Sequence, residues 1–213
     1  MSAEDQARAY AEADFEEPHS RCVQLFAATF PDRPAVGVAL EPGCGTGDIT
    51  IRFARANPGY TVHAVDGSAA MLRHAQAATA GQPELATRIQ WIEGILPRVR
   101  LPQSRYDVIL SNSLLHHLHE PRILWEIVCR YSRAGTLVYV MDLFRAASRE
   151  QAAALTEQYC GTEPVVLKQD FFNSLLAAFT LEEVRDQLTG AGLGYLTVSR
   201  ISDRHLLVAG TIR

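Results

Sequence analysis

Short apolar runs alternate with longer segments whose apolar residues recur at helical spacing along most of the chain. The runs that predict strands are 35–40, 60–65, 89–92, 106–110 and 136–141. The segments that predict helices between them are 47–57, 68–80 and 123–131. Strands that alternate with helices of about 10–15 residues are typical of right-handed βαβ crossovers. The pattern therefore predicts an α/β fold with a parallel, doubly wound sheet and helices on both faces.

The two ends of the chain depart from this alternation. Residues 1–30 have a helical pattern that Pro31 and Pro34 end. Near the other end, Thr180 is placed to cap a helix over 181–191, and two apolar runs within 195–209 predict a hairpin. We therefore expect the sheet to close with one antiparallel strand.

Composition and charge narrow the class of protein. The chain has 213 residues, of which 47% are hydrophobic and 21% are charged, and this is the balance of one globular domain. A net charge of −4 gives no global positive field for nucleic acid, and no apolar run reaches the roughly 18 residues of a membrane span. The first 17 residues carry six acids against one base, the reverse of a targeting peptide, so we expect a cytoplasmic location. The four scattered cysteines do not have the spacing of a zinc site.

A glycine-rich loop follows the first predicted strand, with Gly43, Gly45 and Gly47 at alternate positions. Such a loop lets backbone N–H groups approach a ligand at the positive end of a helix. A dinucleotide fingerprint would need a third glycine at position 48, where Asp48 stands and would oppose a pyrophosphate. Glu41, two residues before the loop, suits a ligand with an ammonium group.

Asp66 ends the second predicted strand, 19 residues after Gly47. A carboxylate at this place can bind both hydroxyls of a ribose. A ligand with a ribose, an adenine and an amino-acid tail but no phosphate is S-adenosylmethionine, which we expect as the cofactor.

Three segments in order, 41–47, 64–72 and 106–118, resemble motifs of the Rossmann-like (class I) S-adenosylmethionine-dependent methyltransferases. The resemblance covers roughly 36–141, and the closing helix and hairpin also fit it. It implies a seven-stranded sheet in the order 3-2-1-4-5-7-6 with the last strand antiparallel.

The resemblance also implies a cofactor site, in which the loop wraps the methionine tail, Asp66 holds the ribose and Met71 packs on the adenine. Its residues are Glu41, Gly43, Cys44, Gly45, Gly47, Asp66, Gly67, Met71, Glu93, Gly94, Ile95, Asn112 and Ser113. The family often has an acid after Gly94, where this chain has Ile95. Whether Glu93 or the backbone of Gly94 and Ile95 contacts the adenine amine is open.

His116 and His117 follow the fourth predicted strand and are our candidate catalytic bases. Packing beneath a lid is the alternative for both, and no metal is expected because adjacent histidines seldom converge on one point. The residues expected to contact the acceptor are Tyr10, His19, Asp142, Arg145, Phe171, Phe172 and Asn173. His19 is also a weaker second candidate base. The structural alternatives are a loop cap for Asp142, a solvated side chain for Arg145 and ordinary core for the two phenylalanines.

The first hypothesis for function is in-line methyl transfer to an oxygen, nitrogen or sulfur atom of a small molecule. The alternatives are methylation of RNA or protein, and cofactor binding without catalysis. The expected single domain, 1–213, divides into an N-terminal helical cap (1–35), a cofactor-binding core (36–141), a substrate lid (142–180) and a closing helix and hairpin (181–212). The acceptor and the oligomeric state are not readable from the sequence.

Overall fold

Seven strands form one sheet within residues 3–13 and 15–213, which the computed structural model describes. Met1, Ser2 and Asp14 of the predicted cap lie outside the described residues. The strands are β1 (Gly37–Pro42), β2 (Tyr60–Asp66), β3 (Ile89–Glu93), β4 (Val108–Asn112), β5 (Leu137–Leu143), β6 (Thr197–Arg200) and β7 (His205–Thr211).

Helices connect these strands and cover both faces of the sheet. They are α1 (Ala3–Glu12), α2 (Glu16–Thr29), α3 (Asp48–Ala56), α4 (Ala69–Thr79), α5 (Pro83–Ala86), α6 (Arg122–Tyr131), α7 (Arg149–Cys160), α8 (Val165–Ala177) and α9 (Leu181–Gly190). A 3-10 turn, Leu115–His117, follows β4. No helix in the described part of the chain has both the length and the apolar character to cross a bilayer.

The strand order is β3-β2-β1-β4-β5-β7-β6, and β7 runs antiparallel to both of its neighbours. This order confirms the expected doubly wound sheet. β5, near the middle, is buried along its whole length because helices cover both of its faces, which explains its continuous apolar run.

Two apolar layers hold the helices to the sheet. On one face, α2 and α3 pack on the sheet through Phe26 and Phe53, whose rings meet edge to face 5.1 Å apart. On the other face, Trp125 of α6 is fully buried, and its indole nitrogen donates to Gln187 Oε1 of α9 at 3.0 Å. Thr180 caps α9 as expected, in a reciprocal capping box with Glu183.

The N-terminal segment and the segment 142–180 are both helical. The helical pattern predicted over 1–30 corresponds to two helices, of which α1 contacts α4 and α8 while α2 packs on α3. An ion pair between Glu4 and Arg73 joins α1 to α4. The segment 142–180 contains α7 and α8, and the aromatic stretch near 171 lies inside α8.

Candidate active site

A cavity of about 850 Å³ opens at the carboxyl edge of the parallel strands. Its floor is the loop between β1 and α3 with the ends of β2, β4 and β5. Its walls come from α1, α2, α7, α8 and the turn before β7. Open α/β sheets bind ligands at this edge, so the described chain brings its candidate functional residues to the expected place.

The glycine loop has a backbone that side chains would disturb. Gly43, Gly45 and Gly47 have φ values of +74°, +54° and +81°, in the left-handed region that favours glycine. A Cβ atom at Gly43 would lie 2.6 Å from Leu114, and one at Gly47 would lie 2.4 Å from Trp91. At Gly45 a Cβ would meet nothing within 4 Å, so the loop presents open backbone to the cavity at this point.

Glu41 places a carboxyl group at the bottom of the cavity, 2% exposed. Its Oε2 accepts a hydrogen bond of 2.6 Å from the Thr50 hydroxyl. Burial raises the pKa of Glu41 to about 8, so the apo protein holds this group mostly neutral at pH 7. A ligand ammonium group is the kind of partner that would restore its charge.

Asp66 connects the glycine loop to the start of α4. Its Oδ2 accepts from the backbone N–H of Gly45 at 2.8 Å, and its Oδ1 accepts from that of Ser68 at 2.8 Å. Each oxygen keeps a second acceptor site. The carboxylate is therefore fixed in position and still able to accept from the hydroxyls of a ribose.

Asn112, the last residue of β4, and Ser113, which follows it, each have an energetically unfavourable feature. Within the described chain, the buried Oδ1 of Asn112 has no hydrogen-bond partner, while its Nδ2 donates to Ser113 Oγ at 3.1 Å. An orphaned buried acceptor costs about 1–3 kcal/mol. Ser113 has a φ of +53°, which costs a non-glycine residue about 1–2 kcal/mol. Such costs concentrate at ligand sites. A hydrogen-bond donor on a bound ligand would remove the cost at Asn112.

His116 and Asp142 form a buried pair beside these groups. His116 Nδ1 lies 2.6 Å from Asp142 Oδ1, and the two side chains are 3% and 1% exposed. Asp142 Oδ2 also accepts from the backbone N–H of Leu115 at 2.7 Å, and Oδ1 from that of Leu143 at 2.8 Å. Nδ1 is thereby committed to the carboxylate, and Nε2 is the ring nitrogen left for chemistry. The His117 ring lies 4.0 Å away, centroid to centroid.

The predicted cofactor residues divide between the cavity wall and its surroundings. Those that line the cavity are Glu41, Gly43, Cys44, Gly45, Asp66, Met71, Asn112 and Ser113. Those that do not line it are Gly47, Gly67, Glu93, Gly94 and Ile95. Ile95 is 72% exposed, and its Cγ1 lies 3.8 Å from the point where a Cβ at Gly67 would sit. The contact with the adenine amine stays a prediction.

The predicted acceptor residues divide in the same way. Tyr10, His19 and Phe171 line the cavity, together with both candidate bases. His19 Nδ1 is committed to Asp48 Oδ2 at 2.6 Å, in a network that ties the cap helix α2 to α3. This contact disfavours His19 as the base and favours a role in holding the cap.

Four predicted acceptor residues lie outside the cavity wall. Asp142 lies behind His116, and its carboxylate is occupied by the His116 ring nitrogen and two backbone N–H groups. Arg145 donates to the carbonyl of Ala178 and to Glu183, so it anchors the start of α9. Phe172 packs against the apolar cluster between α7 and α8 and under the guanidinium of Arg149, and the exposed Asn173 accepts from Gln169.

Tyr159, Arg204 and His205 also line the cavity but were not predicted as site residues. No chemical motif marks them, because Tyr159 lies in the last turn of α7 and the other two lie at the hairpin turn and the start of β7. Burial and the charge of Arg204 lower the pKa of His205 to about 4, so this ring is neutral at pH 7. Only the pairing of β7 with β5 brings the hairpin turn to the edge that holds the cavity.

The sheet order and the glycine loop followed by Asp66 agree with the resemblance to the Rossmann-like S-adenosylmethionine-dependent methyltransferases. Residues 40–138 match a family model described as "Methyltransferase domain". An uncharacterized methyltransferase of Mycobacterium tuberculosis is 37% identical over 99 residues, which are 46% of this chain and 44% of that protein. The mitochondrial ubiquinone biosynthesis O-methyltransferase of Schizosaccharomyces pombe is 31% identical over 100 residues, 46% of this chain and 35% of that one.

A solved structure extends the likeness of the fold to almost the whole chain. The crystal structure of a SAM dependent methyltransferase from Aquifex aeolicus superposes with a TM-score of 0.69 at 14% identity, and the match covers 98% of both chains. The chain spans less than half the length of the two curated relatives. The resemblance drawn from the sequence is confirmed: residues 40–138 match the methyltransferase domain model, and this match indicates S-adenosylmethionine as the cofactor.

Proposed function

We propose that this protein methylates a hydroxyl oxygen of a small molecule, with His116 as the general base. The observation that carries the proposal is the buried His116–Asp142 pair, which shares one cavity with the groups suited to the cofactor. A small acceptor fits a cavity of about 850 Å³, and a net charge of −4 disfavours a nucleic acid. The predicted cytoplasmic location is part of this proposal.

The cofactor groups fit S-adenosylmethionine chemically. Glu41 is a buried carboxyl group that a ligand ammonium would complement, and Asp66 is a fixed carboxylate for ribose hydroxyls. The orphaned Oδ1 of Asn112 offers an acceptor to a further ligand donor. When bound, this cofactor supplies a methyl group activated by a sulfonium centre.

His116 is arranged to take one proton. Because Nδ1 faces the Asp142 carboxylate, the neutral ring carries its hydrogen there and leaves Nε2 as the acceptor. The proton of the acceptor hydroxyl passes to Nε2, and the buried carboxylate stabilises the imidazolium that forms. The proton then leaves to solvent when the cavity opens.

Oxygen is favoured over nitrogen or sulfur on two grounds. A hydroxyl is the acceptor that most needs a base, since a thiol ionises at lower pH and a neutral amine attacks through a lone pair that it already has. In addition, one of the relatives that match this chain is described as an O-methyltransferase.

Label transfer tests the proposal. Purified protein is incubated with methyl-labelled S-adenosylmethionine and a small-molecule extract, and we expect label in an alkali-stable methyl ether, whereas an alkali-labile ester would indicate a carboxylate acceptor. His116→Asn should lower the rate about 10²–10⁴-fold, while His119→Asn, an exposed neighbour outside the cavity, should not change it.

Four results would count against the proposal. Label on nitrogen or sulfur would refute the choice of oxygen, and tight, salt-sensitive binding to tRNA would favour an RNA acceptor. Label in no molecule, with calorimetric binding of S-adenosylhomocysteine intact, would leave the protein a non-catalytic binder. Failure to bind that ligand, with Asp66→Ala behaving identically, would refute the cofactor site itself.

A further inference from the structure

Arg204 brings a guanidinium group to the cavity wall. Among the described residues that line the cavity, it is the one arginine or lysine, and its side chain is 12% exposed. We infer that Arg204 binds an anionic group, a carboxylate or a phosphate, on the methyl acceptor. The inference rests on the proposed methyl transfer and adds the substrate class.

The guanidinium is held in a fixed orientation. The Arg204 carbonyl accepts from the Phe144 N–H at 2.9 Å, which fixes the turn against the end of β5. The backbone N–H of Arg204 donates to Ser202 Oγ at 3.2 Å. The guanidinium carbon lies 3.3 Å from the ring centroid of Tyr159 on α7. A guanidinium stacked on a ring keeps its in-plane N–H groups available to other acceptors.

Acceptor atoms of the protein use only part of the hydrogen-bonding capacity of the Arg204 guanidinium. Nη1 of Arg204 donates to Asp203 Oδ1 at 3.1 Å, and Asp203 Oδ2 accepts from the Tyr159 hydroxyl at 2.6 Å. A guanidinium has five N–H donors, so donors remain for a ligand. Two of them in parallel match the two oxygens of a carboxylate or phosphate.

The acids around Arg204 leave its charge available to a ligand. Glu17 and Glu163 also line the cavity, but in the described chain the ion pair of Arg204 is with Asp203 and not with either of them. The adjacent His205 is neutral at pH 7, as shown above. An incoming anion therefore meets a partly compensated cation in a mostly desolvated wall, where a charge-assisted hydrogen bond is strong.

Arg204 and the candidate base face the same acceptor space. In the β5–β7 ladder, His205 pairs with Leu143, the residue after the Asp142 that holds His116. Arg204 precedes His205, so it lies at the same carboxyl edge of the sheet as the base. The acceptor is then a small molecule that carries both a hydroxyl for His116 and an anionic group for Arg204.

Fractionation of the acceptor pool tests this with the unaltered protein. A small-molecule extract is separated on an anion exchanger at pH 8 into a retained, anionic fraction and a flow-through, and each is offered with methyl-labelled S-adenosylmethionine. We expect at least tenfold more label in molecules from the retained fraction. Treating that fraction with a phosphatase distinguishes the two sources, since only a phosphate-bearing acceptor would then be lost.

Substitutions of Arg204 test whether this residue binds the anionic group of the acceptor. Arg204→Gln should lower the rate at limiting concentrations of the retained fraction about 10–100-fold and leave S-adenosylhomocysteine binding unchanged, and Arg204→Lys should restore part of the rate. Arg149→Gln is the matched control, because its guanidinium also lies over a lid ring, that of Phe172, but outside the cavity.

The outcomes distinguish a failure of the anion site from a failure of the proposed methyl transfer. Transfer only from the flow-through, or an Arg204→Gln rate within twofold of the unaltered protein, would overturn the anion site and leave methyl transfer standing. Label from neither fraction would refute methyl transfer itself. If Arg204→Gln fails to bind S-adenosylhomocysteine and so is misfolded, the fractionation result with the unaltered protein decides.

Discussion

Binding of S-adenosylhomocysteine should release a proton from Glu41. This carboxyl group is buried at the cofactor end of the cavity, and burial raises its pKa to about 8 despite the hydrogen bond from Thr50. Nearby Asp48 and Asp66 raise it further, because their negative charges oppose ionisation. The ammonium group of the ligand favours the ionised carboxylate, so binding shifts Glu41 toward its charged form.

The size of the effect follows from the pKa. At pH 7, a group with a pKa of about 8 is about 90% protonated, so formation of an ion pair with the ligand should release about 0.9 protons per protein. At pH 9 the free group is already mostly ionised, and the release should fall to about 0.1. Below pH 8 the affinity should rise with pH, by up to about tenfold per unit.

Calorimetry in buffers of different ionisation enthalpy measures this release. The observed binding enthalpy at pH 7 should vary linearly with the buffer enthalpy, with a slope that corresponds to about 0.9 protons released. Glu41→Gln is the control, because it keeps the shape of the side chain and reports any proton uptake by the ligand. Tight binding without proton release by the unaltered protein would refute the pairing of Glu41 with the ammonium group.

Three other predictions test the fold and the base. The pKa of Glu41 is raised from 4.5 to about 8, so the free energy of unfolding of the apo protein should fall as the pH rises between these values, by up to about 1.4 kcal/mol per pH unit. Urea titrations at several pH values should show a weaker pH dependence of this free energy in Glu41→Gln. Asp142→Asn should lower kcat about 10²–10⁴-fold in label-transfer assays, because an amide facing His116 favours the wrong tautomer; a loss below threefold would contradict this. Gly47→Ala should destabilise by more than about 1 kcal/mol in thermal melts, because its Cβ would clash with Trp91; an unchanged melt would refute the clash.

Eight of the residues proposed for the cofactor were predictable as cavity lining, because short stretches of sequence bring them there. Apolar runs predicted the strands, and each strand end carries its functional residue into the next loop, as Glu41, Asp66 and Asn112 do. Gly43 and Gly45 were found for the same reason, since a left-handed backbone leaves a direct trace in the amino-acid type.

The acceptor half was predicted less well because tertiary packing decides it. Phe171 and Phe172 are adjacent in sequence, yet one lines the cavity and the other packs under Arg149, since neighbours on a helix point in different directions. Asp142 was expected to contact the acceptor, but its partner is a histidine 26 residues earlier in the chain. No local pattern reports such a pairing.

The different origins of the two halves have a consequence for specificity. The cofactor groups lie on a continuous stretch from β1 to β4, whereas the acceptor wall is assembled from α1 and α2, from α7 and α8, and from the turn before β7. Tyr159 and Arg204 join two of these distant segments through one stacking contact. Substitutions in the acceptor wall can therefore change which molecule is accepted and leave the loop around Gly45 and Asp66 intact.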